Sequence, residues 1–386
     1  MNWEQKVLGD ISTSIQTGPF GSQLHQSDYS DEGIPVVMPK DLIRGMVSEE
    51  SIAQISKEHV ERLSKHKIKA GDILYSRRGD VGKCAFASER EIGWICGTGC
   101  LKVSVDREKA DPQFIFYQLQ KAETIGWVIN HAVGSTMLNL NTSILSAVPI
   151  DVPEIETQRK IVKILSSYDS LIKNNQKQIK LLEETAQRLY KEWFVDLRFP
   201  GYEDVEVVDG VPEGWKKEHI GDLIKKVTRT KQIKTAEYLP EGTFPIIDQS
   251  RDFVAGYTND QEAVVDMGCP VIVFGDHTRI LKYIQFPFAK GADGTQLIIS
   301  NNENMPQSLL YSSLVAVDLS NYHYARHFKY LKAENILVPS REIAKEFDWY
   351  VSPMLLQIQQ LRNMENKAAE ARDRLLPKLM SGEIEV

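Results

Sequence analysis

No run of about 18 apolar residues occurs anywhere in the 386-residue chain, which excludes a membrane-spanning helix of ordinary length. The opening Met1-Asn2-Trp3-Glu4-Gln5-Lys6 has no apolar stretch of secretory type, so a cytoplasmic protein is expected. Cysteine is scarce. Cys84, Cys96, Cys100 and Cys269 are irregularly spaced, and Cys96-x-x-x-Cys100 lacks the partner pair that a zinc site needs, so buried free thiols are expected. The motifs of catalysis are also missing. There is no Gly-x-x-x-x-Gly-Lys-Ser/Thr loop to cradle phosphates, no Gly-x-Gly-x-x-Gly after a strand, no His-Glu-x-x-His and no Gly-x-Ser-x-Gly elbow. An Asn/Asp-Pro-Pro-Tyr/Phe signature is absent, and Gly97-Thr98-Gly99 is too short to serve as a cofactor loop. Gly275-Asp276-His277-Thr278-Arg279 gathers acid, base and hydroxyl, but a polar turn accounts for it equally well. His323 and His327 share a helical face without a third ligand. The expectation is a chain with no catalytic residues, no metal and no cofactor of its own.

Positive charge is in deficit as well. With 46 Lys+Arg against 53 Asp+Glu, the net charge of −7 argues against a general polyanion binder. Basic residues nonetheless cluster locally, at Lys65-His66-Lys67-Ile68-Lys69, Arg77-Arg78, Arg229-Thr230-Lys231 and Arg326-His327-Phe328-Lys329. Each cluster alone reads equally well as a solvated face.

What the chain does have is a repeat. Trp3-x-x-x-x-Leu8-Gly9-Asp10 recurs as Trp215-x-x-x-x-Ile220-Gly221-Asp222, an offset of 212 from position 3 to position 215. Val148-Pro149-Ile150-Asp151-Val152-Pro153 recurs as Asn335-Ile336-Leu337-Val338-Pro339, an offset of 186 from position 153 to position 339. Each half thus runs from a Trp-Gly-Asp opening to a proline-marked exit, and a helical stretch follows each exit.

In the first helical stretch apolar residues fall at Ile161, Leu165, Tyr168, Ile172, Ile179, Leu182, Ala186, Leu189 and Trp193, with only Asn175 breaking the stripe. Alternating spacings of four and three over about four heptads mark a coiled-coil seam, in which one polar residue can fix register. From Gln158 to Phe194 this helix would be roughly 55 Å long and would need a partner for its seam. The offset of 186 supplies one, with Met354, Ile358, Leu361, Ala368, Leu375 and Leu379 as its seam. Ser352-Pro353 reads as a start or restart of that helix, Pro377 as a kink or end, and Gly382 as lying past its close. Short β-rich runs such as Ile34-Pro35-Val36-Val37-Met38, Asp72-Ile73-Leu74-Tyr75 and Val271-Ile272-Val273-Phe274 sit between Gly, Pro and Asp turn signals. The expected fold is mixed α/β: a domain over 1–153, a long helix over 154–199, a linker and second domain over 200–340, and a C-terminal long helix over 341–386. The two helices would pack as an antiparallel coiled coil with pseudo-two-fold symmetry.

Several segments carry a family resemblance. Glu156-Thr157-Gln158-Arg159-Lys160-Ile161-Val162 through Arg188-Leu189-Tyr190-Lys191-Glu192-Trp193-Phe194-Val195-Asp196 resembles the central conserved region of type I restriction-modification specificity subunits. Leu375-Leu376-Pro377-Lys378-Leu379-Met380-Ser381-Gly382-Glu383-Ile384 resembles that family's C-terminal conserved region. Gly18-Pro19-Phe20-Gly21-Ser22, Gly71-Asp72-Ile73-Leu74 and Gly134-Ser135-Thr136 through Asn139-Leu140-Asn141 match as well. The second half departs from the first, having no Gly-Pro-Phe-Gly and carrying Gly291-Ala292-Asp293-Gly294 instead.

The resemblance implies two target-recognition domains that read a bipartite sequence in double-stranded DNA. It also implies assembly with two methyltransferase subunits and two ATP-driven restriction/translocase subunits, which would hold S-adenosylmethionine, ATP and Mg. A two-helix spacer would set half-sites about one helical turn, ~34 Å, apart. Base readers should be polar or basic residues on loops. The candidates are Ser22, Gln23, Lys40, Arg77, Arg78, Lys83, Ser135 and Asn139 in the first domain. In the second they are Gln249, Arg251, His277, Arg279, Lys282, Arg326, His327 and Lys329. Competing readings are a methyltransferase-type enzyme without recognisable motifs, and a coiled-coil scaffold whose loops are neutral to DNA.

Overall fold

A computed structural model describes residues 3–134, 136–225, 227, 231–322 and 326–386, with the backbone alone at Ser22. It divides into two compact units, Met1–Leu171 with Lys367–Val386, and Ile172–Asn366. Each long helix therefore contributes one stretch to each unit.

In the first unit the opening strand Glu4–Val7 pairs antiparallel with the closing strand Pro149–Val152, Glu4 opposite Val152. Between them lies a four-stranded antiparallel sheet in the order Ser12–Thr17, Cys100–Val105, Ile73–Ser76, Cys84–Phe86. Its inner strand Ile73-Leu74-Tyr75-Ser76 is wholly buried, which is why it reads as an unbroken apolar run rather than an alternation. A second sheet orders Ile95–Cys96, Ile34–Val37, Ala53–Ile55 and Tyr29–Ser30, with the first two strands parallel. Helix Pro112–Leu119 starts where Asp111 accepts from the Gln113 and Phe114 amides and proline occupies the first turn. Its Phe114, Ile115 and Tyr117 join Leu8, Ile11, Ile161, Leu165, Leu376 and Leu379 in one core.

The second unit repeats this plan. Lys216–His219 pairs antiparallel with Asn335–Val338, Lys216 opposite Val338. A sheet of Leu281–Ile284, Val271–Gly275 and Thr295–Ile298 matches three of the four strands of the first unit's larger sheet. The fourth is reduced to one bridge between Ile224 and Ser300. Phe244–Ile247 runs parallel to Phe288–Lys290 and antiparallel to Gly256–Thr258, as Ile34–Val37 does with its neighbours.

The central helix spans Ile155–Tyr190 and passes into a π turn over Lys191–Val195; the C-terminal helix spans Arg341–Ser381. Their partnership is antiparallel in each unit. Asp169 meets Arg372 at 2.7 Å and Lys160 reaches the Val386 carbonyl in the first unit. In the second, Gln176 meets Glu365 at 2.6 Å and Glu183 meets Arg362 at 2.8 Å. Ile161, Leu165, Ile172, Asn175, Trp193, Ile358, Leu361, Ala368 and Leu379 are buried; Tyr168, Ile179, Leu182, Leu189, Met354 and Leu375 are half-buried.

Two expectations are corrected here. The C-terminal helix neither starts at Pro353 nor ends at Pro377, but runs through both. A proline inside a helix costs about 3 kcal/mol. Burial of Val351, Leu355 and Ile358 around the first proline, and of Leu376, Leu379 and Met380 around the second, offsets that cost. Gly382 closes the helix with φ +76, and a Cβ there would lie 2.8 Å from the Trp3 indole nitrogen.

Candidate nucleic-acid interface

In the first unit the candidates gather beyond the end of strand Ile73–Ser76. Arg77 donates its amide to the Gly99 carbonyl and accepts from the Leu140 amide, both at 2.8 Å. Arg78 bridges to Asn139, and the Gly79 amide reaches the Leu138 carbonyl. Lys83, on the far side of the same turn, is exposed and pairs with Asp80 at 3.3 Å. Among the described residues, two polar atoms in this cluster are buried without a partner, Arg77 Nε and Asn139 Oδ1. An unpaired buried polar atom costs about 1–3 kcal/mol, so Arg77 Nε is left to donate to, and Asn139 Oδ1 to accept from, a bound molecule or water.

Gln23 and Lys40 lie in adjoining turns that close backbone contacts hold against this cluster. A Cβ on Gly18 would sit 1.9 Å from the Gly97 carbonyl oxygen, and one on Gly99 would sit 2.6 Å from the Pro39 ring. Gly97-Thr98-Gly99 is thus a packing hub that only glycine at those two positions permits. Sequence reasoning discarded this segment as a cofactor loop; the spacing of two glycines was the available signal. Lys40 is exposed and donates to the Ser51 carbonyl at 2.7 Å, while the Gln23 side chain accepts a long bond from the Phe20 amide. Phe20, Val133 and Met137 add exposed apolar surface nearby. Ser135 and the Ser22 side chain lie outside the described residues, as do His323 and the Arg229-Thr230 part of its basic cluster.

In the second unit the hairpin Gly275-Asp276-His277-Thr278-Arg279 occupies the equivalent place, since Gly275 opposes Thr295 as Ser76 opposes Cys100. Asp276 is the organiser that sequence reasoning missed. Its carbonyl accepts from the His327 amide and its carboxylate from the Phe328 amide at 2.7 Å, holding the start of helix Phe328–Ala333. Gln249 clamps the same turn, accepting from the His277 amide at 3.1 Å and donating to the Asp293 carbonyl at 2.8 Å. Arg279, at φ +63, reaches the Leu319 carbonyl. Arg326 and Lys329 are exposed beside the buried His327, whose Nδ1 has no partner among the described residues. Burial first, then the Arg279 charge, holds the His327 imidazole below its ordinary pKa, against the pull of Asp276. Arg251 is exposed.

Lys282 stands apart. It is buried in the sheet, its ammonium donating to the Asp252 carbonyl at 2.5 Å and lying 3.9 Å from Asp248. Among the described residues no group of three His, Cys, Asp or Glu side chains could hold a metal ion. Cys84, Cys96 and Cys100 are buried free thiols, and burial pushes the Cys84 and Cys96 thiols up to about 12. Among the described residues no helix is long and apolar enough to cross a membrane.

Residues 1–184 match the model of the type I restriction modification DNA specificity domain. Across the whole chain, and 94% of the relative, the sequence is 24% identical to the type I restriction enzyme MjaIX specificity subunit of Methanocaldococcus jannaschii. It is 26% identical over 199 residues to the HindI specificity subunit of Haemophilus influenzae, covering 50% of this chain and 41% of that one. The fold resembles the crystal structure of a type I restriction-modification system S subunit from M. genitalium, with TM-score 0.57, 16% identity, and coverage of 98% and 96% of the two chains.

Proposed function

We propose, from the match of residues 1–184 to the type I restriction modification DNA specificity domain and the whole-chain similarity to a specificity subunit, that the chain belongs to the family of type I restriction-modification specificity subunits and selects the DNA sequence on which partner subunits act. One observation carries the reading. Two units of the same topology present loop clusters at equivalent strand ends, with Arg77-Arg78 at the position where the other has Asp276-His277. A shared scaffold with different polar side chains at equivalent tips suits two readers of two different half-sites. The chain supplies no catalysis itself. It directs adenine methylation or cleavage by two methyltransferase and two restriction/translocase subunits in the cytoplasm, and those partners hold S-adenosylmethionine, ATP and Mg.

Genome-wide adenine methylation mapping tests this reading, comparing cells with and without the chain beside its cognate methyltransferase. A split motif, two short defined blocks around a fixed unspecified spacer, is expected only when the chain is present. Unchanged methylation with an active methyltransferase would mean that the chain is a scaffold. At residue level, Arg77→Ala is expected to weaken target binding by about 1–3 kcal/mol, roughly five- to 150-fold, and to relax a single base position. Equal weakening on every sequence would make Arg77 a phosphate contact instead.

A further inference from the structure

At the other end of the first unit's larger sheet, four residues or roughly 13 Å along strand Cys100–Val105 from the loop cluster, lies a cleft of about 630 Å³. Its walls carry Lys65, Lys67, Lys69, Lys102 and Arg107. Lysines 65, 67 and 69 alternate with His66 and Ile68, both buried, so the chain directs its cationic side chains to the cleft and packs the others inside. Two of the five cations have carboxylate partners. Lys102, buried, donates to the Lys67 carbonyl at 2.6 Å and lies 3.7 Å from Asp72, while Lys67 pairs with Glu61 at 2.7 Å. Arg107 holds the Ala70 carbonyl. Among the described residues no carboxylate pairs with Lys65, Lys69 or Arg107, in a chain whose net charge is −7.

The repeat supplies a control. Lys67 bridges antiparallel to Ile95 as Val264 pairs with Ala289, and Lys102 opposes Leu74 as Leu297 opposes Val273. At these equivalent positions Lys65, Lys69 and Lys102 are replaced by Glu262, Asp266 and Leu297. The fold does not require cations there. Their presence in one unit, with acids in the other, marks a feature added to the scaffold.

We infer that this cleft binds the phosphodiester backbone of nucleic acid without reading its sequence, at a site separate from the loop cluster; the inference rests on the chain's being a DNA reader. The walls favour phosphate over an acidic peptide. Besides cations they present hydroxyl and amide groups from Thr13, Ser14 and Gln16, and among the described residues no aromatic side chain lines them. A peptide partner is usually anchored by an apolar or aromatic side chain in a pocket, whereas phosphate contacts draw on lysines, hydroxyls and amides.

The test uses the full-length chain, alone and with its cognate methyltransferase, carrying Lys65→Gln with Lys69→Gln. Among the described residues neither side chain has a structural partner, and Lys65→Arg with Lys69→Arg serves as the charge-preserving control. Affinity for a target-bearing duplex and for a random duplex is measured over a salt series. The Gln variant should lose affinity for both duplexes by the same factor, and its log–log salt slope should become less steep by about 2, near 0.9 for each lost phosphate contact. The Arg variant should restore both, and the methylated motif should not change. An unchanged salt slope would overturn the proposal, and unchanged slope with weakened methyltransferase assembly would assign the cleft to an acidic protein segment. A changed motif would make it part of the reading site. If the wild-type chain directs no split motif, the family-based function fails first, and the salt series on random duplex still decides the cleft.

Discussion

Replacing Asp169 by alanine should lower the stability of the first unit by about 3 kcal/mol, measured as a shift in the urea midpoint of the full chain at unchanged m-value. The carboxylate accepts a short hydrogen bond from the Tyr117 hydroxyl and another from Arg372 Nη1 at 2.7 Å. It therefore ties the recognition-domain helix Pro112–Leu119 to both long helices within that unit. Tyr117 is fully buried, and burial together with Asp169 pushes its phenol well above the ordinary range, so its proton stays on and must find an acceptor. Breaking a buried ion pair from one side costs about 3–5 kcal/mol. Here Arg372 keeps Asp373 at 2.8 Å and Asp169 is a quarter exposed, which discounts that term, while the orphaned Tyr117 hydroxyl adds about 1–3 kcal/mol. Asp169→Asn, which keeps an acceptor, should lose less. A loss below about 1 kcal/mol for the alanine variant would show that the network contributes little beyond what water replaces.

The sequence repeat predicted more of the fold than its local patterns did. The offsets of 212 and 186 carry Glu4–Val7 onto Lys216–His219 and Pro149–Val152 onto Asn335–Val338, residue for residue, with matching register. Those strands close each domain, so Trp, Gly, Asp and Pro at their edges leave a strong imprint. The coiled-coil seam was legible for the same reason, since burial repeats along a helix. Local rules did worse where tertiary packing overrode them. Proline at 353 and 377 signalled helix boundaries, yet buried neighbours carry the helix through. In the candidate site, residue type led to Arg77, Arg78 and Asn139, and the structure brings these three together. It could not reveal that Asp276 organises the second cluster, because its role depends on contact with residues 327 and 328, some 50 positions away. Nor could it reveal that Lys65 and Lys69 face a cleft; a basic run looks the same on an open surface.

Lys282 shows the limit of residue type most clearly, and it gives the second large expected effect. In strand Leu281–Ile284 alternate positions should face opposite sides, but Lys282, Tyr283 and Ile284 are all buried, so both faces are covered. Burial pushes the Lys282 ammonium down to about 8, against the attraction of Asp248 and Asp252. The unfolded chain keeps its proton to about 10.4. Between these values the unfolded state binds more protons than the folded state, so this group's contribution to stability rises with pH through that window and is flat below it. The shift is worth about 3 kcal/mol at about 1.36 kcal/mol per unit. Lys282→Met keeps the aliphatic stem and removes the titration, and Asp248 retains bonds from Ser250 and Tyr238. Relative to this variant, the wild type should gain about 3 kcal/mol between pH 8 and pH 10.5, with tyrosine ionisation common to both and cancelling in the difference. Parallel profiles would mean that Lys282 titrates normally and is open to solvent. In that case its place among the DNA-contacting candidates would revive, and a changed methylation motif in Lys282→Met cells would follow; a buried lysine predicts the motif unchanged.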